Sequence, residues 1–389
     1  MSDTDDPAAL QALRERLDRI DRELVERAAE RQRIVSEIGR LKQAGGRQLR
    51  DFRREREVLD GVRRHARDSG LDPDVAERLL TMLIEASLTR QEVERVALAA
   101  RGAGQRALVI GGAGRMGQWL AGFLADQGFD TSIADPSARA DGRRRFGDWR
   151  AAPLDVDVIV VAAPIAASRV LLDDLAGLGV PGLVFDVASI KAPLADRLRA
   201  AAAAGLQVCS VHPMFGPDTR LLAGRHVLVA DCGNAAATAR ARSLFGDTMA
   251  TLVDVDLDEH DRLMAWVLGL SHALNVAFAA ALAASGADAG RLASISSTTF
   301  QRQLDIATDV GGENPSLYFE IQNLNPYETG VLQALSDVTD RLRVAVEAGD
   351  RDAFVELMRR GAVWTRAHGA ARGGRETPTD TASTPDPNA

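Results

Sequence analysis

Residues 107–117 read ALVIGGAGRMG, and this stretch decides the fold of everything around it. Ala107–Ile110 is a short apolar run of strand type, and Gly112, Gly114 and Gly117 follow it at G-x-G-x-x-G spacing. A helical pattern from Trp119 to Asp126 comes next. Strand, glycine turn and helix in that order form a dinucleotide site. Glycines let the backbone approach a pyrophosphate, and the helix start offers it free N–H groups. Arg115 and Met116 belong to the same turn. Asp135, eighteen residues beyond Gly117 at the end of the next apolar run, suits the ribose hydroxyls and repels a 2′-phosphate. NAD is the expected cofactor, with Arg139 and the Arg143–Arg145 run leaving room for NADP.

Downstream of this turn, short apolar runs at 131–134, 156–162, 183–187 and 208–211 alternate with helical stretches. That alternation predicts a doubly wound parallel sheet, a Rossmann-type domain over residues 104–254. The pattern turns helical again over 255–366, and residues 367–389, rich in Thr, Pro, Asp and Gly, read as a disordered tail. Upstream, residues 1–100 are helical throughout. Leu10, Leu13, Leu17, Ile20, Leu24, Ile34, Ile38 and Leu41 recur at helical spacing until Gly45-Gly46 ends the run. Such a helix is roughly 50 Å long. That is too long for a compact monomer of about a hundred residues, so it is expected to pack on a second chain. Two shorter helices, about 51–69 and 73–97, and a linker at 99–105 complete this part.

Composition narrows the function classes. The 389 residues carry a net charge of −8 and are 46% apolar, as in ordinary globular proteins. Arginine is dense in the first hundred residues but alternates with glutamate, so it marks a solvated helix surface rather than nucleic-acid binding. Cys209 and Cys232 form no disulfide framework and no metal pattern accompanies them. No apolar run is expected to span a membrane, and the acidic Met1–Asp6 is not a signal peptide. The expectation is a soluble cytoplasmic enzyme.

Several charged residues of the helical part share faces. Arg31 and Lys42 lie eleven residues apart, about three turns, while Arg14 points a quarter turn away from Arg31. Asp51, Arg54 and Glu55 stand at i, i+3 and i+4, and Ser87 and Gln91 at i, i+4. Together these positions resemble the all-helical chorismate mutase family over residues 8–97. The resemblance implies a dimer in which the partner donates Arg14. It also implies that Arg14, Arg31 and Arg54 grip the two carboxylates, Lys42 and Gln91 face the ether oxygen, and Asp51 and Glu55 face the ring hydroxyl, with Ser87 in the same pattern. A pericyclic rearrangement needs no base, nucleophile or metal, only a held conformer and stabilised charge.

Two further segments close strands: DVASIK at 186–191 and HPMFGP at 212–217. A histidine at a strand's C-terminal end, in the ligand crevice of such sheets, suits a neutral base. HPMFGP resembles the prephenate dehydrogenase family, and the likeness continues through Glu259-His260-Asp261 and Ser271-His272 to about residue 365. Bifunctional members of that family carry the mutase first, in the order seen here, as enzymes of tyrosine biosynthesis. The resemblance implies that His212 takes the C4 hydroxyl proton while hydride leaves C4 for NAD, that Ser189 orients His212, and that His272 is a second substrate contact. It gives His260 and Asp261 a structural role and the C-terminal helices the role of a dimerisation domain. Where the family places a carboxylate-binding Arg, a gap-free reading finds Gln301, so Arg302 becomes the expected ligand, with Lys191 or a partner chain as rivals. Arogenate or 4-amino-4-deoxyprephenate as substrate, and a non-catalytic NAD-binding scaffold, are the alternatives. Feedback by tyrosine, if present, would act at or near the active site.

Overall fold

The structure, a computed structural model, describes residues 7–44, 50–137 and 142–373. Three helices open it: α1 (Pro7–Ala44), α2 (Phe52–Asp68) and α3 (Pro73–Ala99). Asp51 caps α2 by accepting from the Arg54 N–H, and α3 begins with Asp72 as cap and Pro73 in its first turn. α1 runs through Gly39 without a break because α3 packs closely there. A Cβ at Gly39 would meet the Gln91 amide at 2.9 Å. Only the half of α1 beyond residue 27 has buried or half-buried positions. Ala8–Arg27 is exposed along its whole length, with Leu13 at 61% and Leu17 at 57%.

The chain then forms β1 (Arg106–Ile110), α4 (Arg115–Asp126), β2 (Asp130–Ala134), β3 (Arg144–Phe146), β4 (Val158–Val161), α5 (Ile165–Leu178) and β5 (Leu183–Asp186). It continues with α6 (Ala195–Ala203), β6 (Val208–Pro213), β7 (His226–Asp231), α7 (Ala235–Phe245) and β8 (Thr251–Asp254). All eight strands make one sheet in the order β3-β2-β1-β4-β5-β6-β7-β8. Its core is the apolar residues of the central strands and α4, among them Val109, Leu120, Ile133, Val160, Phe185 and Val211. Winding reverses at β1, which pairs with β2 on one side and β4 on the other, and such a switch point opens a ligand crevice. β6 and β7 pair antiparallel, so β7 and β8 run against the other six. The sequence reading expected only five parallel strands. β3 escapes it because three residues with two arginines have no apolar run, and β7 and β8 add a reversed edge to an otherwise parallel sheet.

Contacts divide the chain into two compact units, residues 1–261 and 262–389. α8 (Leu257–Met264) carries the chain from one to the other. A π-helical segment, Ala265–Leu270, and α9 (Ser271–Ala284), α10 (Ala289–Ser294), α11 (Thr298–Gly311), α12 (Pro315–Leu324), α13 (Glu328–Ala348) and α14 (Arg351–Gly373) follow. α9 packs on α11, and the π-helical segment packs on α12 and α13. α14 continues to Gly373, past the point where a disordered tail was expected, and residues 374–389 lie outside the described residues. One expectation is corrected outright: Leu257–Ala284 is long and apolar enough to cross a membrane by length and composition, and little of it is buried. The polar Ser271, His272 and Asn275 interrupt this run in the sequence. Within its unit the stretch makes polar contacts to other helices, since Gln303 donates to Asn275 and Gln322 to the Gly269 carbonyl. A single open apolar face of this kind serves a helix of another chain as well as it serves lipid.

Candidate active sites

In the helical part, α1 and α3 bring three of the expected residues together. The Arg31 guanidinium donates to Ser87 Oγ and to the Leu83 carbonyl, both at 3.2 Å. Ser87 Oγ donates to Gln32 Oε1 at 2.9 Å, and the Gln91 amide donates to the Val35 carbonyl at 2.7 Å. Ser87 and Gln91 are buried, and partial burial lowers the Arg31 pKa from its usual value. Lys42 stands in the last turn of α1, half-buried. The second helix joins less directly. Asp51 uses a carboxylate oxygen as the cap of α2, Glu55 pairs with Arg50 at 3.1 Å, and Arg54 is exposed beside Glu57. Arg14 does not join at all. Seventeen residues along a straight helix place it about 25 Å from Arg31, on the exposed half of α1.

The glycine turn fits a dinucleotide on its own geometry. Gly111 takes φ +83°, and a side chain there would meet the Ala162 backbone. A Cβ on Gly112 would overlap Ile133, and one on Gly117 would overlap the Gly111 carbonyl. No other residue type can make this turn. Gly114 caps α4 without any side chain, so the first N–H groups of the helix stay open toward the crevice, as an anion requires. Asp135 lies at the end of β2, where Oδ2 accepts from the Ala113 N–H at 3.1 Å and Oδ1 accepts from Ser137. Burial pushes its carboxyl up, but the Ser137 and Ala113 hydrogen bonds outweigh that and leave it below the usual range. Arg115 forms an ion pair with Asp218, and Met116 packs on the core. Arg144 and Arg145 run beside β2 on β3, while Arg139 lies outside the described residues.

His212 stands near the end of β6, 4% exposed. Its Nδ1 lies 2.9 Å from Nε2 of His260, whose Nδ1 lies 2.7 Å from Asp261 Oδ1. Asp261 is itself fixed by the backbone N–H groups of Lys191 (2.8 Å) and Ala192 (2.6 Å), just after the DVASIK strand end. This chain sets the tautomers. A carboxylate only accepts, so His260 carries its proton on Nδ1 and offers a lone pair at Nε2. His212 then donates from Nδ1 and keeps Nε2 as a free base. Burial holds His212 well below the ordinary histidine range, helped by the positive character of His260 and Lys191; His260 is lowered too, chiefly by burial.

This geometry corrects two expectations. Among the described residues the hydrogen bond that orients His212 is the one it donates to His260, and Ser189, half-buried beyond β5, makes none to it. Lys191 is not available to a substrate carboxylate. Its ammonium is 1% exposed, pairs with Asp186 at 2.7 Å and donates to the Val211 carbonyl.

In the second unit, His272 near the start of α9 stacks on Tyr318 with ring centroids 4.2 Å apart. Its Nδ1 is buried with no partner among the described residues, and burial lowers its pKa. Arg302 is exposed on α11, because Phe300 and Gln303 take the face toward α9, meeting Phe278 and Asn275. Gln301 bonds Asp305 along the same helix.

Known proteins resemble all three parts. Residues 13–92 match the family model described as chorismate mutase type II. Residues 127–253 match the prephenate dehydrogenase nucleotide-binding domain, and residues 256–360 the prephenate dehydrogenase dimerization domain. The 4-amino-4-deoxyprephenate dehydrogenase of Streptomyces pristinaespiralis is 33% identical over 263 residues, 65% of this chain and 88% of that protein. The chain belongs to the prephenate dehydrogenase family.

The part that matches chorismate mutase stands in front of the dehydrogenase part, and relatives share the whole arrangement in length. The T-protein of Enterobacter agglomerans is 26% identical over 93% of this chain and 94% of its own. The crystal structure of prephenate dehydrogenase from Aquifex aeolicus, in complex with hydroxyphenyl propionate and NAD+, has the same fold. Its TM-score is 0.56 at 15% identity, over 68% of this chain and 98% of that one. Sequence reasoning found His212 in this dehydrogenase but missed His260 and Asp261 as its partners. His260 lies 48 residues beyond it in sequence, with Asp261 next to it, and no spacing rule connects a strand end to a helix that far away.

Proposed function

We propose that this chain catalyses two successive steps of tyrosine biosynthesis in the cytoplasm. Chorismate rearranges to prephenate among the N-terminal helices, and prephenate is then oxidised and decarboxylated to 4-hydroxyphenylpyruvate. The observation that carries the second step is the buried chain His212–His260–Asp261, which presents one unprotonated nitrogen at the end of β6. NAD held over the glycine turn supplies the acceptor for hydride leaving C4. His212 Nε2 takes the C4 hydroxyl proton, and the positive charge that results is shared through His260 with Asp261. Departure of the ring carboxylate as CO₂ leaves an aromatic ring, which makes the step downhill. His272, with its orphaned Nδ1, is the second substrate contact, and Arg302 is the cation for a carboxylate. The test supplies purified protein with chorismate and NAD and follows chorismate loss and NADH gain separately. Chorismate loss without NADH would leave the second half without this substrate. The 33% identical relative named for 4-amino-4-deoxyprephenate makes that amine the rival, and turnover of both substrates side by side decides between them.

For the first step, Arg31 and Arg54 hold carboxylates, Lys42 and Gln91 stabilise charge on the ether oxygen, and Glu55 and Asp51 orient the cations. Lys42→Ala is expected to lower mutase kcat by about 10²–10³ and to leave oxidation of added prephenate near wild type. Mutase activity within a few-fold of wild type would remove Lys42 from the site.

The protein acts as a homodimer in this reading. The open leucine face of α1 supports it, as does the distance of Arg14 from its own Arg31. Each mutase site is then completed by the partner's first helix. Mixing Arg14→Ala and Arg31→Ala chains should restore about a quarter to a half of the activity, because one of the two sites in a heterodimer is intact. A purified heterodimer with no recovery overturns the shared site. Inhibition by tyrosine, which shares the product's 4-hydroxyphenyl ring, would act at the dehydrogenase site.

A further inference from the structure

Glu92 is a buried carboxylate that neither proposed reaction uses. It follows Gln91 on α3 and is 4% exposed. Its two oxygens are occupied by backbone donors from two separate loops of the dehydrogenase part. Oε2 accepts from the Leu222 N–H at 2.8 Å, and Oε1 accepts from the Met249 N–H. Leu222 belongs to the connection between β6 and β7, and Met249 to the one between α7 and β8. β7 runs against β6 and β8 runs with β7. The end of β6, where His212 stands, and the starts of β7 and β8 therefore share one end of the sheet. Both loops held by Glu92 lie at that end.

The β6–β7 connection begins immediately after the His212 strand and is held on its other side by the cofactor helix. Trp119 of α4 donates its indole N–H to the Thr219 carbonyl at 2.8 Å, Phe215 meets the Trp119 ring edge-on, and Arg115 pairs with Asp218. Between α3 and this connection a cavity of about 590 Å³ opens, lined by Met82, Glu85 and Thr89 on one wall and by Asp218 and Arg220 on the other. The loop is thus not packed onto α3 along its length, and Glu92 supplies the hydrogen bond that ties it there. A carboxylate placed between two backbone donors is a strong and directional tie, and removing it would orphan both N–H groups.

We propose that Glu92 is a positioning residue for the dehydrogenase, supplied by the mutase helix. It anchors the β6–β7 connection, and through it the wall that Arg115, Trp119 and the His212 strand present to ligands. The proposal rests on the reading of His212 as the prephenate site. It gives α3 a contact with the loops at the His212 end of the sheet, inside the compact unit that holds both parts.

The test uses the full-length chain with Glu92→Ala and Glu92→Gln, the latter keeping one acceptor oxygen. Hydrogen exchange on peptides covering 217–223 and 247–251 reads the anchor directly and needs no substrate. Steady-state kinetics with added prephenate and NAD read its consequence. Glu92→Ala is expected to accelerate exchange in both segments and to raise KM for prephenate or NAD about tenfold, with kcat within about threefold because His212 is untouched. Glu92→Gln should fall between Ala and wild type in both readouts. Unchanged exchange in both variants overturns the proposal, and so does faster exchange with unchanged KM. Should Glu92→Ala fail to fold, Glu92→Gln decides by the same two measurements. A wild-type protein that does not turn over prephenate would overturn the function reading instead, while the exchange arm still judges the anchor.

Discussion

Replacing His212 by Asn is expected to lower kcat for prephenate oxidation by roughly 10²–10⁴, the usual contribution of a positioned general base. Asn retains a hydrogen-bonding group of similar reach toward His260 but has no lone pair that can carry a proton. NAD affinity, measured by fluorescence titration, and mutase activity should both stay near wild type. The pH dependence of the parent enzyme is a second readout of the same residue. Burial, with the neighbouring His260 and Lys191, keeps the folded-state pKa of His212 well below 6.5. The neutral, competent form therefore dominates at pH 6.5 and persists as pH falls, so the acidic limb of kcat/KM should lie below that of an ordinary histidine. A limb at pH 6.5 or above, or an Asn variant that loses NAD binding, would show that His212 is not the buried base described here.

How much of this was legible beforehand depends on the range of the interactions concerned. The glycine turn is a local object: strand, three glycines and helix are contiguous, and steric exclusion at Gly111, Gly112 and Gly117 explains why only glycine appears there. Asp135 follows at the end of the neighbouring strand and was equally readable. The long first helix was readable from its leucine period, and so was its need for a partner, because Leu13 and Leu17 have nothing to cover them in one chain.

Residues that act through tertiary contacts were not readable in the same way. The family resemblance implies that Ser189 orients His212, but a motif match does not say which side chain reaches an imidazole. The structure answers with His260, carried on α8. Lys191 looked like a spare cation for a substrate. Only its depth beneath the sheet end, paired with Asp186, shows that its charge is already matched. Asp51 was read as a ligand for a hydroxyl, and the same residue is the cap that starts α2. Glu92 carried no signal at all, since a glutamate on an Arg-rich helix reads as solvated surface until a second domain covers it.

Asp261→Asn is expected to lower dehydrogenase kcat by about 10³–10⁴, the scale known when the carboxylate behind a catalytic histidine is neutralised in another enzyme. The argument follows the hydrogen bonds. Asp261 Oδ1 faces both the His260 ring and the Lys191 N–H, while Oδ2 faces the Ala192 N–H. An Asn amide can point either way. With nitrogen toward His260 it donates to Nδ1, which moves the His260 proton to Nε2 and turns that atom from acceptor to donor. His212 must then accept at Nδ1 and carry its own proton on Nε2, the nitrogen needed as the base. With oxygen toward His260 the tautomers survive, but the amide nitrogen meets the Ala192 N–H, and the negative charge that stabilises the protonated histidine pair is gone. Both orientations weaken proton removal, and neither touches the glycine turn or the mutase helices. The measurements are kcat for prephenate, Kd for NAD and mutase kcat, compared with Asp261→Glu, which restores the charge on a longer arm. A large fall in kcat for Asn, partly recovered by Glu, with NAD binding and mutase activity retained, is the signature of tautomer and charge control. A kcat within threefold of wild type would mean that His212 works without its buried partners.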